Sequence, residues 1–229
     1  MTWANAKIKR IYVGNNLVRP VWKPWSNTVA YYPLTENAND YSWNWYNATN
    51  IWATFSSNWA YFWTYDKRIA LPTMTIWQTA TINTWVKTPN WFSGNLAFDL
   101  YFDWSSSYRN IMWEIGSAWV YWNTWNNSTT QHNFSISWTF WTGWTNMVLV
   151  KTWTTVTIYQ NWTQIWTDSS SYNVTLPWWR NTVVIWHNTM MSSSTWAVWY
   201  LKDYIIEKRA WTSTEVLNYY NQTKSNYWL

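Results

Sequence analysis

Residues 144–167 read WTNMVLVKTWTTVTIYQNWTQIWT and contain two apolar, β-branched runs separated by short polar breaks. The runs at 146–151 and 156–160 have the composition typical of strands. A short turn at 152–155 joins them, and a tighter turn at Asn161-Trp162 leads into a third strand that starts at Thr163. The stretch therefore predicts a three-strand antiparallel meander.

The second turn carries a residue type that its geometry disfavours. A two-residue hairpin turn needs positive φ at both central residues, and glycine adopts that conformation without steric cost. The sequence offers Trp162 instead. With glycine at 153 and 162, the stretch resembles the central hairpin of laminin-G-like (concanavalin A-like) jelly-roll domains, a lectin and glucanase class.

Tryptophan replaces glycine in this way along the whole chain. The 229 residues include 29 Trp and 4 Gly, whereas average usage predicts roughly 16 glycines. Our hypothesis is that most of these tryptophans are UGA codons that a bacterial or phage source reads as glycine. The alternative is a truly tryptophan-rich protein such as an aromatic adhesive. Trp sits where turns favour glycine at 43, 45, 59, 91, 104, 125 and 162, whereas we expect Trp25, Trp85, Trp144 and Trp211 to be genuine.

Further blocks resemble the same family, over residues 28–221. VAYYPL at 29–34, followed by NANDYSWNW at 37–45, resembles its first strand and loop, and residues 54–63 resemble a short crossing strand. Residues 79–87, 196–206 and 209–220 resemble its "W-v-K" strand, its closing strand and its terminal helix. The resemblance implies an all-β, two-sheet antiparallel jelly-roll sandwich with a short C-terminal helix.

Local patterns add detail to this architecture. In residues 79–87, Ala80, Ile82, Thr84 and Val86 alternate with polar residues and Trp85, so they should share one face. Thr212 and Glu215 have the spacing of a capping box, with Val216, Leu217 and Tyr220 as the buried stripe of the helix. Paired strands are predicted at 95–102 with 109–115, and at 119–122 with 134–140 across a loop at 123–133; a further strand is predicted at 182–186.

Residues 1–26 are predicted to be a separate arm, and residues 27–229 the jelly-roll domain. Strands at 7–13 and 17–21 flank the turn at 14–16, which indicates a β-hairpin. An isolated hairpin is marginally stable in water, so we expect it to dock on the sandwich, on copies of the chain or on other virion or surface proteins. The start of the chain resembles the N-termini of phage tail-associated proteins.

Composition excludes several classes of protein. Without cysteine, the chain has no disulfide, no zinc–thiolate site and no cysteine nucleophile. We expect no membrane-spanning helix and no signal peptide, since there is no long apolar run. The net charge of +5 comes from five basic residues before Glu36, and they are too widely spaced to predict nucleic-acid binding.

The acidic residues argue against catalysis. Glycosidases of this fold need paired carboxylates beside a cleft, and the Glu-x-Asp-x-x-Glu strand of the laminarinase-type relatives is absent. The closest pair on a predicted strand is Asp203 and Glu207, four residues apart. His132 and His187 fall in predicted loops, where isolated histidines are usually surface residues. We therefore expect no enzyme activity, with a glycosidase as the least favoured alternative.

Calcium is the one cofactor that the resemblance implies. Many relatives hold Ca²⁺ with loop carboxylates and carbonyls, which suit its preference for oxygen. Asp40 with Asn39 is the best local candidate, and Asp203 could join them. The alternative for Asp40 is an Asx-turn that caps the loop. Ligand-binding residues stay unassigned, since the tyrosines in or near predicted loops (Tyr101, Tyr108, Tyr121 and Tyr172) do not single out a sugar platform.

These observations predict a non-catalytic recognition module. We expect it to bind a glycan or surface polysaccharide and to belong to a phage tail, another virion appendage or a cell surface. The alternative is a purely structural assembly protein with no small ligand.

Overall fold

The computed structural model describes part of the chain, including the whole C-terminal helix and most of the predicted meander. The described residues are 12–13, 16–17, 26–62, 67–72, 74, 79–87, 96–99, 112–115, 119–125, 131–137, 143–152, 155–168, 184–185 and 199–227.

Seventeen strands, one α-helix and one 3₁₀ turn make up the described structure. In chain order they are β1 (Tyr12–Val13), β2 (Asn16–Leu17), β3 (Thr28–Tyr32), β4 (Thr49–Ile51), β5 (Thr54–Phe55), β6 (Ala60–Phe62), β7 (Arg68–Ala70), β8 (Ala80–Lys87), β9 (Leu96–Asp99), β10 (Met112–Ile115), β11 (Trp119–Trp125), β12 (Gln131–Ser137), β13 (Trp144–Thr152), β14 (Thr155–Gln160), β15 (Thr163–Asp168), β16 (Val184–Ile185), β17 (Trp199–Glu207), α1 (Ser213–Thr223) and the 3₁₀ turn Lys224–Tyr227.

The strands form two large sheets. One has seven strands in the order β12-β11-β10-β9-β16-β7-β4. The other has eight, in the order β15-β14-β13-β8-β17-β6-β5, with β3 also paired to β17. β1 and β2 make a separate two-stranded sheet. The two-sheet antiparallel jelly-roll class with an N-terminal hairpin and a C-terminal helix is thus confirmed, whereas a domain boundary between residues 26 and 27 stays a prediction.

The predicted meander is present as β13, β14 and β15. Its second turn has φ of 43° at Asn161 and 72° at Trp162, the positive values that a two-residue hairpin turn requires. Asn146 binds this turn twice, because its N–H donates to Oδ1 of Asn161 and its carbonyl accepts from the N–H of Asn161, each at 2.9 Å. These two hydrogen bonds therefore join the turn between β14 and β15 to the start of β13.

The eight-stranded sheet has two buried faces. Ala80, Ile82 and Val86 of β8 point into the main core, which also includes Ile69 of the seven-stranded sheet and so lies between the sheets. Trp85 points the other way, into a second core that α1 and the 3₁₀ turn cover. The predicted alternation along β8 is confirmed, and its outer face is buried because the C-terminal segment packs on it.

The C-terminal helix begins with the predicted capping box. The N–H of Glu215 donates to Oγ1 of Thr212 at 3.2 Å, and the N–H of Thr212 donates to Oε2 of Glu215 at 2.8 Å. The predicted apolar stripe was partly wrong. Val216 is buried as expected, but the other buried positions are Tyr219 and Thr223, because the sheet lies against the i, i+3, i+7 face; Leu217 is exposed and Tyr220 is half-buried.

The predicted loop at 123–133 was wrong at both of its ends. β11 and β12 extend into the predicted loop at 123–133, where Asn123, Thr124 and Trp125 pair with Asn133, His132 and Gln131. These residues form strands because Thr and Trp favour a pleated surface and continue the ladder of the strands before them. His132, predicted in this loop, consequently lies in β12, whereas Tyr121 lies in β11 within the strand predicted at 119–122. The predicted pairing of β9 with β10 is confirmed, and His187, Trp25, Tyr101, Tyr108 and Tyr172 lie outside the described residues.

Candidate functional site: an aromatic row with a central lysine

The carboxylate of Asp40 accepts hydrogen bonds from its own loop and from the neighbouring strand β3. Oδ1 accepts from the N–H groups of Tyr31 (2.9 Å) and Ser42 (2.8 Å), and Oδ2 accepts from the N–H of Tyr46 (3.0 Å) and from the hydroxyl of Ser42 (2.8 Å). The bond to the N–H two residues ahead is an Asx-turn, the alternative considered for this residue. Neighbouring Asn39 is exposed.

Asp203 lies where β17 changes partner. Residues before it pair with β6 and residues after it pair with β3, and its φ is 52°. Its Oδ1 accepts from the hydroxyl of Tyr31 at 2.7 Å, and its Oδ2 accepts from the hydroxyl of Tyr227. Burial, reinforced by the nearby Asp203 carboxylate, raises the pKa of both phenols well above the ordinary value, so both stay donors.

The structure places Asp40 and Asp203 at opposite ends of Tyr31, one at its main-chain N–H and the other at its phenol. No group of three or more His, Asp or Glu residues suited to a metal occurs within the described ranges. These contacts do not by themselves imply calcium, and the assignment of Asp40, Asn39 and Asp203 as its ligands stays a prediction.

Glu207 is fully buried and ties the C-terminal helix to the sheet. Its Oε2 accepts from the indole N–H of Trp211 at 2.6 Å and lies 3.0 Å from Nε of Arg209. Nη1 of Arg209 lies 2.6 Å from Oε1 of Glu215 in the capping box. Burial raises the pKa of Glu207 even though Trp211 and Arg209 act to lower it. The Glu207 carboxylate is thus occupied by contacts inside the protein. The indole of Trp211 donates one of these hydrogen bonds, which glycine could not do.

The outer face of the eight-stranded sheet carries a row of side chains across four strands. Tyr61 of β6 pairs with Tyr200 of β17, Tyr200 pairs with Lys87 of β8, and Lys87 pairs with Trp144 of β13. Directly opposed residues share a face, with Cβ atoms about 4.5–5.5 Å apart. All four side chains are half-buried, so they form a surface between the covered core and solvent. We call these four residues the aromatic row.

Two rings of the aromatic row are in contact with each other, and Trp59 contacts both the row's Tyr200 and its Trp144. Tyr61 and Tyr200 stack with centroids 5.1 Å apart at 28°. Trp59 joins the row edge-on, with its centroid 5.4 Å from Tyr200 and 6.2 Å from Trp144. Burial, together with Tyr200, raises the pKa of Tyr61, so its hydroxyl stays protonated and neutral. The row therefore presents flat apolar rings with phenolic hydroxyls at one end.

Lysines supply the charge of this surface. Lys87 stands in the row itself, and Lys202 follows Tyr200 by two residues on β17, in register with Trp85. Nζ of Lys202 lies 5.0 Å from the ring centroid of Tyr227, within range of a cation–π contact. The surface is thus aromatic and positively charged.

A second set of aromatic side chains is exposed on loops and turns. Trp43, Trp45, Trp52 and Trp162 have φ of 77°, 60°, 59° and 72° and exposed fractions of 76%, 77%, 66% and 48%. Trp85 and Trp211 are buried without positive φ. Trp59 and Trp166 also lack positive φ in the described structure. Tryptophan at positive φ therefore coincides with exposure.

Sequence reasoning missed the aromatic row. The alternation of β8 indicated that Lys87 shares a face with Trp85, but nothing in the sequence paired Tyr61 with Tyr200 across β6 and β17. The hydrophobic run of β17 predicted a strand, but it did not predict how that strand aligns with its neighbours in the sheet. The row is therefore a product of the tertiary pairing.

The strand pairing defines a two-sheet antiparallel β-sandwich. No family model and no curated protein matches the chain. Among solved structures, the botulinum neurotoxin type G receptor-binding domain superposes with a TM-score of 0.67 at 15% identity, covering 86% of this chain and 51% of that one. The botulinum neurotoxin serotype D ligand-binding domain in complex with N-acetylneuraminic acid gives 0.65 at 11% identity, covering 85% and 50%.

A third similar structure comes from work on botulinum neurotoxin type C, whose cell entry depends on interaction with two ganglioside molecules. It superposes with a TM-score of 0.67 at 13% identity, and the match covers 85% of this chain and 51% of that one. The chain spans about half the length of the structures it matches. At these identities the likeness shows the fold, and it leaves membership of the laminin-G-like family as a prediction.

Proposed function

We propose that this chain is a non-catalytic carbohydrate-recognition module and that the aromatic row is its binding surface. The observation that carries the proposal is the half-exposed, stacked pair Tyr61–Tyr200, in register with Lys87 and Trp144. The C–H face of a sugar ring packs on flat aromatic rings, and phenol and amine groups bind its hydroxyls. The N-acetylneuraminic acid and ganglioside ligands of the similar neurotoxin domains support a sugar ligand for this fold.

The carboxylates favour recognition over hydrolysis. A glycosidase needs two carboxyl groups facing one cleft. Here the closest pair of acids on one strand, Asp203 and Glu207, accepts hydrogen bonds from buried tyrosines and from Trp211, respectively. Both acids are therefore engaged inside the protein, which supports a module without catalysis.

Glycan binding is tested with the variant Tyr200→Ala on a glycan array. We expect the unmodified protein to bind a defined set of glycans and Tyr200→Ala to lose at least about tenfold in affinity, since stacking on one ring is worth about 1–2 kcal/mol in related contacts. Tyr41→Ala is the matched control, because Tyr41 is 49% exposed and its N–H donates to the carbonyl of Tyr31 on β3, a strand that contributes no residue to the row. Equal losses in both variants, or no glycan bound by the unmodified protein, would refute the proposal.

We further propose that the module sits on a virion appendage such as a phage tail, or on a cell surface, with residues 1–26 as its anchor. The separate pairing of β1 with β2 supports an arm that needs a docking partner, such as another virion or surface protein or a copy of the chain. No helix among the described residues is long and apolar enough to cross a membrane. Deleting residues 1–26 is expected to abolish association with the particle while glycan binding persists; retained association would contradict the anchor.

Finally, we propose that the tryptophans at positive φ are glycines in the natural protein, encoded by UGA in a bacterial or phage source. The coincidence of left-handed backbone and exposed indole at Trp43, Trp45, Trp52 and Trp162 supports this proposal. The buried contacts of Trp85 and Trp211 support genuine tryptophan at those positions. We do not include Trp59 among the proposed glycines, because its φ is not positive.

A further inference from the structure

The central position of the aromatic row is a lysine. In the register of the sheet, Lys87 stands between Tyr200 on one side and Trp144 on the other. A lysine flanked by rings on both sides loses water contacts along its stem, while its ammonium group reaches the edge of the surface. The register therefore puts Lys87 between two ring-bearing positions of the aromatic row and not at one end of it.

The positive charge is not neutralised within the described structure. Neither Lys87 nor Lys202 takes part in an ion pair there. The acids of β17 are committed elsewhere, Asp203 to the hydroxyls of Tyr31 and Tyr227, and Glu207 to Trp211 and Arg209. An anion on this surface would therefore meet two lysines without displacing a carboxylate.

We propose that the aromatic row selects glycans that carry a carboxylate, such as sialic or uronic acid sugars, and that Lys87 binds the carboxylate. This inference rests on the proposed carbohydrate recognition. The apolar face of the sugar packs on Tyr61, Tyr200 or Trp144, and the carboxylate accepts hydrogen bonds from the ammonium group of Lys87. Lys202 reinforces the attraction from the next position on the same face. A charge-assisted hydrogen bond is about twice as strong as a neutral one, so the acidic group decides which glycan is preferred.

The test compares matched acidic and neutral oligosaccharides on an array, followed by titration of the best pair. We expect the acidic member to bind about tenfold more tightly at low salt, and the difference to shrink at high salt, because the charges are partly exposed. Lys87→Gln should remove this preference, and Lys87→Arg should keep it. Lys208→Gln, at an exposed lysine elsewhere, is the control for net charge and should behave as the unmodified protein. Melting temperatures of all variants verify folding.

The outcomes separate the two proposals. Equal affinity for acidic and neutral members, or a preference that survives Lys87→Gln, overturns charge selection and leaves carbohydrate recognition in place. A preference that Lys208→Gln weakens as much as Lys87→Gln also overturns it, because the effect would then follow net charge. Absence of binding to every glycan overturns both proposals.

Discussion

Replacing Trp43, Trp45, Trp52 and Trp162 together by glycine is expected to raise the free energy of unfolding by about 2–4 kcal/mol. A left-handed conformation costs a residue with a Cβ about 1–2 kcal/mol, and the greater freedom of glycine in the unfolded chain offsets about 0.5–1 kcal/mol of that. The net gain summed over four positions gives the stated range. Little packing is lost, since each indole is about half exposed or more. Urea unfolding measures the change.

The matched control replaces the same four residues by alanine. Alanine removes the indole but keeps the Cβ, so the backbone strain stays and no comparable gain is expected. If the glycine and alanine variants are equally stable, the strain argument fails. Mass spectra of the protein from its natural source test the codon hypothesis directly, and glycine masses are expected at all four positions; tryptophan masses there would contradict it.

Replacing Trp85 by alanine is expected to lower the free energy of unfolding by about 3–5 kcal/mol, the usual cost of truncating a large buried aromatic residue. Trp85 is fully buried and stacks on Tyr227 with ring centroids 3.8 Å apart at 12°, and on Tyr220 at 5.9 Å. The cavity would open beneath the C-terminal segment. Urea unfolding measures the loss, and hydrogen exchange should rise first in α1.

Trp52→Ala is the control for this second prediction, because Trp52 is 66% exposed and its removal leaves no cavity. We expect a change within about 0.5 kcal/mol, as for most surface substitutions. A loss at position 85 no greater than the loss at position 52 would show that the stacked contact contributes little. The two variants thus distinguish a tryptophan that contributes to the free energy of unfolding from one that does not.

Local patterns predicted much of the fold. The meander, the faces of β8 and the capping box at Thr212 follow from periodicity and turn chemistry, which act over a few residues. The buried face of α1 was predicted less well, since Leu217 and Tyr219 are both large and apolar and only the docked sheet decides between them. The aromatic row was beyond prediction, because the pairing of Tyr61 with Tyr200 joins segments that are distant along the chain.

The acidic residues illustrate the same limit at the candidate site. Asp40 and Asp203 carry oxygen atoms of the kind that calcium prefers as ligands, and the family resemblance together with these residue types led to that prediction. Their hydrogen bonds depend on Tyr31, which offers its N–H to one and its phenol to the other. A sequence pattern shows which oxygen atoms could bind a metal ion. The fold decides which hydrogen-bond donors of the protein bind those oxygen atoms.

The place of β17 in the sheet has a consequence for synthesis of the protein. This strand pairs with β3, β6 and β8, yet it leaves the ribosome after all of them. Until then, β8 keeps one open edge, and β3 lacks the only partner strand that the described structure gives it. We expect the sandwich to close only after translation has passed residue 207, slowly, as folds dominated by distant pairings do. The unfinished sheet is also the form most prone to edge-to-edge aggregation, so expression at low temperature or with chaperones should favour its recovery.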